Sequence, residues 1–245
     1  MVEERGTDVT NGRAKMIGMR AVLWDMDGTL VDSEKLWDVS LHELYGRLGG
    51  VLTPEVREST VGGSAFGVMR IVYGDLGLEP DPEAMAESAD WLHERTGELF
   101  EAGLPWRPGA RALLDALLAD GVPMALVTNT RRELTEKALK SIGVHYFSAS
   151  VCGDEVQHAK PAPDVYLRAA ELLGFAPEQC LAIEDSVTGT LAAESAGCPV
   201  LVVPNDVDVP RSPRRRHVVT LSDLGVADLR AIHELLCEGS ESIKQ

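Results

Sequence analysis

Met19-Arg20-Ala21-Val22-Leu23-Trp24 runs straight into Asp25-Met26-Asp27-Gly28-Thr29-Leu30-Val31-Asp32-Ser33, and the reading of this junction decides the fold. The apolar run predicts a buried parallel strand. A strand that ends in Asp-x-Asp-Gly-Thr delivers two acids to the carboxyl edge of a sheet, where open α/β folds bind ligands. Side chains alternate along an extended backbone, so Asp25 and Asp27 are expected on one side, facing one ligand together. Two like charges that close repel unless a cation sits between them, which predicts a hard divalent metal, magnesium first. Gly28 permits a sharp exit from the strand, and Thr29 brings a hydroxyl and an amide able to hold an anion. An Asp-Gly turn without chemistry fits the same residues, so the rest of the chain has to decide.

Outward from this junction, strands and helices alternate. Ser33 is read as capping a helix through about Leu48, followed by helices starting at Thr53-Pro54, over 65–76 and over 82–103. No strand signal interrupts residues 34–104, which therefore read as an all-helical insert. The Pro- and Gly-rich stretch from Gly103 to Gly109 reads as a linker. Beyond it come helix 110–119, strand 122–128, helix 132–142, strand 147–152, helix 163–173, strand 180–183, helix 187–196 and strand 199–203. This rhythm predicts an α/β fold: a doubly wound, Rossmann-like parallel sheet core, residues 19–33 and 105–236, with the helical domain 34–104 inserted beside Asp25 and Asp27. Residues 1–18 and 237–245 are read as tails.

Composition narrows the partners. A chain of 245 residues with formal net charge −16 is a poor match for nucleic acid or an anionic membrane, because phosphate backbones call for basic surface. The run Arg211-Ser212-Pro213-Arg214-Arg215-Arg216-His217 is the exception, and it is read as a solvated loop. Four cysteines, Cys152, Cys180, Cys198 and Cys237, show no Cys-x-x-Cys spacing and are read as reduced thiols of a cytoplasmic protein. The first residues lack the apolar stretch of a secretory signal, and no run is long enough to cross a bilayer.

Three further polar clusters are read at strand ends. Thr128-Asn129-Thr130 offers hydroxyls and an amide able to bond a phosphoryl oxygen, although Thr130 also suits a helix cap. Lys160 stands before Pro161-Ala162-Pro163, whose rings stiffen the backbone and delay the next helix. Glu184-Asp185-Ser186 places two adjacent acids at a strand end, which a cation shared with Asp25 and Asp27 would neutralise.

With Asp25-x-Asp27-Gly28-Thr29, Thr128-Asn129, Lys160-Pro161 and Glu184-Asp185 in this order, the chain resembles the haloacid dehalogenase superfamily of phosphohydrolases, in the subfamily with a helical cap after the first motif. The resemblance implies that Asp25 attacks phosphorus to form an aspartyl phosphate, while Asp27 protonates the leaving oxygen and then activates water. It implies magnesium held by the Asp25 carboxylate, the Asp27 backbone carbonyl and Asp185, with Glu184 as ligand or holder of a metal-bound water. Thr128, Asn129 and Lys160 would position and neutralise the phosphoryl group, with Gly28 and Thr29 beside it. Dehalogenases of the superfamily lack the second aspartate, so Asp27 argues for a phosphatase.

The implied substrate is a small-molecule phosphate ester, and the chain is expected as a monomer or weak homodimer. The run Asp32-Ser33-Glu34-Lys35-Leu36-Trp37-Asp38 looks like hexose and hexitol phosphate phosphatases of the family. Related β-phosphoglucomutases carry a histidine where Trp37 falls and a basic residue in the loop that here reads Val61-Gly62-Gly63-Ser64-Ala65. A phosphosugar mutase is therefore the alternative to a sugar or sugar-alcohol phosphatase. Trp37, Gly63 and Ser64 are the candidate substrate contacts, with a core role for Trp37 the favoured alternative.

Overall fold

The computed structural model describes residues 18–60, 63, 65–205 and 207–241. A parallel sheet of six strands is ordered β3-β2-β1-β4-β5-β6, with β1 Ala21–Trp24, β2 Met124–Thr128, β3 Ala149–Cys152, β4 Cys180–Glu184, β5 Val200–Val202 and β6 Arg215–His217. Alternation along the strands serves two cores at once. Val22, Trp24, Leu126 and Ile183 pack toward helices α5 (Ala110–Ala119), α6 (Arg132–Ile142) and α9 (Val226–Glu241). Leu23, Val127 and Ala182 pack toward α7 (Asp164–Leu173) and α8 (Val187–Ala196). Both faces are covered, which is why the central strands read as unbroken apolar runs.

Between β1 and α5 the chain forms four helices: α1 Glu34–Arg47, α2 Pro54–Thr60, α3 Ala65–Asp75 and α4 Pro82–Ala102. They bury an apolar cluster of their own around Leu44, Tyr45, Met69, Val72 and Leu92. A buried hydroxyl pair, Ser40 and Thr96 at 2.7 Å, ties α1 to α4. Asp81 caps α4 by accepting from the Ala84 amide, with Pro82 at the first helical position.

Three expectations are corrected. The basic run is not all loop, because Arg215–His217 pairs in parallel with β5 as an edge strand. Arg215, with only 5 % of its side chain exposed, meets Glu194 of α8 at 2.7 Å, so a partner distant in sequence takes up the charge that polarity placed in solvent. The tail expected at 237–245 is instead helical as far as Glu241, within α9. Ser33 stands before α1 without a side-chain capping bond. The expected tail over residues 1–17 lies outside the described residues. Among the described residues no helix is long and apolar enough to cross a membrane.

Candidate active site

The strand order reverses between β1 and β4, so chains leave these neighbours in opposite directions and open a crevice at their carboxyl ends. Trp24 pairs in register with Ile183, which sets Asp25 level with Glu184, and the Asp25 amide donates to the Ile183 carbonyl at 3.0 Å. Lys160 arrives from the loop before α7. Its ammonium donates to Asp25 Oδ1 at 2.7 Å, Glu184 Oε1 at 2.7 Å and the Val127 carbonyl at 2.9 Å, which uses all three of its protons. The Tyr166 hydroxyl donates to the same Glu184 Oε1 at 2.6 Å, and Ser186 Oγ donates to Glu184 Oε2 at 3.1 Å. Sequence reasoning missed Tyr166, which sits on the buried face of α7 like any core aromatic.

Asp25, Glu184 and Asp185 bring one carboxylate oxygen each within 4.8 Å of one another. Asp25 Oδ2 is buried and has no hydrogen-bond partner. Burial, then the Glu184 charge, pushes the Asp25 carboxyl up to about 7 against the opposing pull of Lys160. Burial, followed by the charges of Asp25 and Glu184, holds Asp185 well above the usual carboxylate range. Burial pulls the Lys160 ammonium down, but Asp25 and Glu184 outweigh it and keep its pKa raised. An orphaned oxygen inside a surplus of buried negative charge suits a hard divalent cation with oxygen ligands, so the donor set fits magnesium.

The Asp27 carboxylate lies outside this acid group, which corrects the expectation that it shares a cation with Asp25 through its side chain. Its Oδ1 accepts from Ser33 Oγ at 2.6 Å and Trp37 Nε1 at 3.4 Å. Its Oδ2 accepts from Thr130 Oγ1 at 2.7 Å and Thr128 Oγ1 at 3.1 Å. Ser33 and Thr130, read from sequence as helix caps, thus hold Asp27 instead. Residue type could suggest the hydroxyls, but the acceptor is supplied to Ser33 by the turn after β1 and to Thr130 by the approach of β1 to β2.

Asn129 and Lys160 are linked through the backbone: Asn129 Nδ2 donates to the Lys160 carbonyl at 3.1 Å, and the Lys160 amide donates to Asn129 Oδ1 at 2.8 Å. The amide expected on a phosphoryl oxygen is here a clamp on the lysine loop. Thr29 Oγ1 is directed to Asp185 Oδ1 at 3.4 Å. Two glycines make the close approach possible. A Cβ on Gly28, where φ is +83°, would stand 2.0 Å from Asp185 Oδ2, and one on Gly189 would stand 1.8 Å from Glu184 Oε1.

Above the strand ends lies a cavity of about 320 Å³, floored by Asp25, Asp27, Lys160 and Asp185 and walled by Glu34, Trp37, Arg57, Gly63 and His93 from the helical layer. Trp37 lines the cavity and sets its ring edge-on to Phe100 and His93. Gly63 lines the wall, and Ser64 lies outside the described residues. Arg57 and His93 had no motif to mark them, and Glu34 lay in the run 32–38 without being singled out.

The model of the haloacid dehalogenase-like hydrolases matches residues 19–197. Hexitol phosphatase A of Escherichia coli is 33% identical over 196 residues, covering 78% of this chain and 86% of that protein. Phosphoglycolate phosphatase of Thiobacillus denitrificans is 34% identical over 191 residues, covering 76% of this chain and 83% of the relative. Among solved structures, CbbY of Rhodobacter sphaeroides in complex with xylulose-(1,5)bisphosphate superposes with a TM-score of 0.77 at 27% identity, covering 86% of this chain and 99% of that one. The motif residues thus converge on one strand-end crevice inside the matched segment, and the chain belongs to the haloacid dehalogenase-like hydrolases.

Proposed function

We propose that the protein is a magnesium-dependent phosphatase that hydrolyses small phosphate monoesters, sugar or sugar-alcohol phosphates, through an aspartyl phosphate. The observation that carries this reading is the buried Asp25 carboxylate, which lines the cavity and is bonded through Oδ1 to Lys160 while its Oδ2 is left unpartnered. An acid in that setting is oriented for attack rather than for structure, and phosphatases are among the relatives of this chain.

In the first displacement an Asp25 oxygen attacks phosphorus and the bond from phosphorus to the ester oxygen breaks. Asp27 supplies the proton that the leaving oxygen needs. In the second, water attacks phosphorus, Asp27 takes its proton, and the bond to Asp25 breaks to release phosphate. Such acid and base assistance contributes roughly a hundred- to ten-thousandfold. Thr128, Thr130, Ser33 and Trp37 fix the carboxylate that moves the proton, while Lys160 holds the attacking one. Magnesium would be held by Asp25, Asp185 and the Asp27 carbonyl, with Glu184 beside it, and supplies charge neutralisation at the phosphoryl group. The helices α1–α4 act as the cap domain over this centre, on the division 34–104 read from sequence, and their position lets them exclude water and select the ester.

The test is release of inorganic phosphate, with magnesium, from p-nitrophenyl phosphate and a panel of sugar and sugar-alcohol phosphates. Turnover that Asp25→Asn abolishes is the expected result. Inactivity of the wild type on every ester overturns the reading, and interconversion of sugar 1- and 6-phosphates without free phosphate would replace it with a mutase.

A further inference from the structure

Arg57 of α2 is the one arginine that the helical layer presents to the cavity among the described residues, and it arrives already neutralised. Its Nη2 donates to the Glu34 carboxylate at 2.6 Å and to the Glu34 carbonyl at 3.1 Å. Nε donates to Asp38 Oδ1 at 3.1 Å, and Nη1 to Thr60 Oγ1 at 3.3 Å. Glu34 and Asp38 stand one turn apart on α1, so both reach the same fork. Four of the five guanidinium N–H groups are engaged and the trio carries a net negative charge.

Of the other cations on the cavity wall, Lys160 is bonded on all three protons, and Arg131, at the core side of the cavity, is engaged through one N–H, to Asp90 at 3.0 Å. Against them stand the carboxylates of Asp25, Asp27, Glu34, Asp154 and Asp185. Burial lowers the pKa of His93, so at neutral pH it adds no charge. One phosphoryl group can be met by the floor, but a second anionic group under α1 and α2 would be desolvated beside carboxylates, with Arg57, the arginine of that layer, already paired to two acids. A hydroxyl fits better, since it can accept the fifth guanidinium N–H and donate to a carboxylate. The Trp37 ring and Leu41 offer an apolar surface for the C–H side of such a skeleton.

We propose that the Arg57–Glu34–Asp38 trio determines the leaving group, admitting monophosphates of neutral polyhydroxy compounds and turning away esters that carry a second phosphate or a carboxylate. This rests on the phosphatase reading and adds to it the residues that choose among esters. Arg57 and Glu34 face the substrate, whereas Asp38 is a positioning residue behind the guanidinium. Selection works largely by repulsion, the anionic competitor meeting charge of its own sign.

The experiment measures kcat/KM with magnesium for sorbitol 6-phosphate, glucose 6-phosphate, fructose 1,6-bisphosphate and 2-phosphoglycolate, with p-nitrophenyl phosphate alongside. The wild type should favour the neutral-skeleton esters by about a hundredfold. The double variant Glu34→Gln, Asp38→Asn leaves Arg57 charged without its counterions, and the ratio should move toward the anionic esters by about tenfold. Arg57→Met should raise KM for the neutral esters without gaining the anionic ones. A merely structural role would lower all esters together. If the double variant fails to fold, Asp38→Asn alone is read for a shift in the same direction. A wild type that cleaves the anionic esters as well as the neutral ones overturns the proposal, as does an unchanged ratio in the folded variants. Failure of the wild type on every ester, p-nitrophenyl phosphate included, is a different outcome and removes the phosphatase reading beneath it.

Discussion

The floor and the roof of the cavity are built from similar residue types held in opposite ways. On the floor, Lys160, Asp25 and Glu184 are almost completely buried and locked by the ends of adjacent strands. On the roof, Arg57, Glu34 and Asp38 form an equally short network, but on helices that keep their own core and at a partly open surface. A sheet fixes its strand ends through many backbone bonds, so the floor can hold reacting groups to a fraction of an ångström. The roof is tied by bonds from the Arg57 side chain, one of them to the Glu34 carbonyl, and can change without disturbing the sheet. In the function proposed above, reaction type belongs to the first and substrate choice to the second.

The largest effect separating the two should come from Asp25→Asn, which removes the attacking oxygen and should lower turnover of every ester about a millionfold. Rapid-quench measurement of a phosphorylated protein and steady-state phosphate release check it. If some esters survived and others did not, the division of labour would break. Next is Lys160→Met, which leaves Asp25 and Glu184 facing each other without their cation. A loss of about 3–5 kcal/mol in urea unfolding is expected, against about 1 kcal/mol or less for Arg57→Met on the roof.

Magnesium should stabilise the protein by about 3 kcal/mol at a hundred times its Kd, and the effect should vanish in Asp185→Asn. Without magnesium the pH dependence has a fixed sign. The Asp25 pKa rises from 3.8 to about 7 on folding, so between these values the folded chain keeps a proton that the unfolded chain releases. Metal-free stability should therefore fall as pH rises from about 4 to 7, and magnesium should flatten that slope. Thermal melts at several pH values measure both.

Gly189→Ala pushes a methyl into the Glu184 carboxylate and should cost about 1–3 kcal/mol together with activity on all esters. Its opposite on the wall is Trp37→Phe, which keeps a ring but removes the weak bond to Asp27. A two- to fivefold change in kcat/KM that differs between esters is expected, roughly what one hydrogen bond contributes. An equal change for all esters would assign Trp37 to the floor.

Much of the floor was legible before any coordinates. Apolar runs that end in Asp25, Thr128 and Glu184 could be read because a strand covered on both faces must be apolar throughout, and polarity then marks its end. The linker 103–109 and helices α2 to α8 follow from turn residues and periodicity, which are local. The strand Arg215–His217 was not legible, since its polarity is answered by Glu194 on another helix. Nor was the direction of Ser33 and Thr130, whose type suits a cap as well as a bond to Asp27.

The sequence by itself determined the α/β core, the helical insertion and which motif residues stand at strand ends, because these rest on local pattern and chain order. Only the tertiary structure decided that Lys160 bridges Asp25 and Glu184, that Tyr166 joins them, that Asp27 turns to four donors, and that Arg57 meets the cavity already paired. The reason is one of range: hydrophobic period is written within a turn or two of chain, whereas a buried hydrogen bond needs donor and acceptor brought from segments up to 156 residues apart.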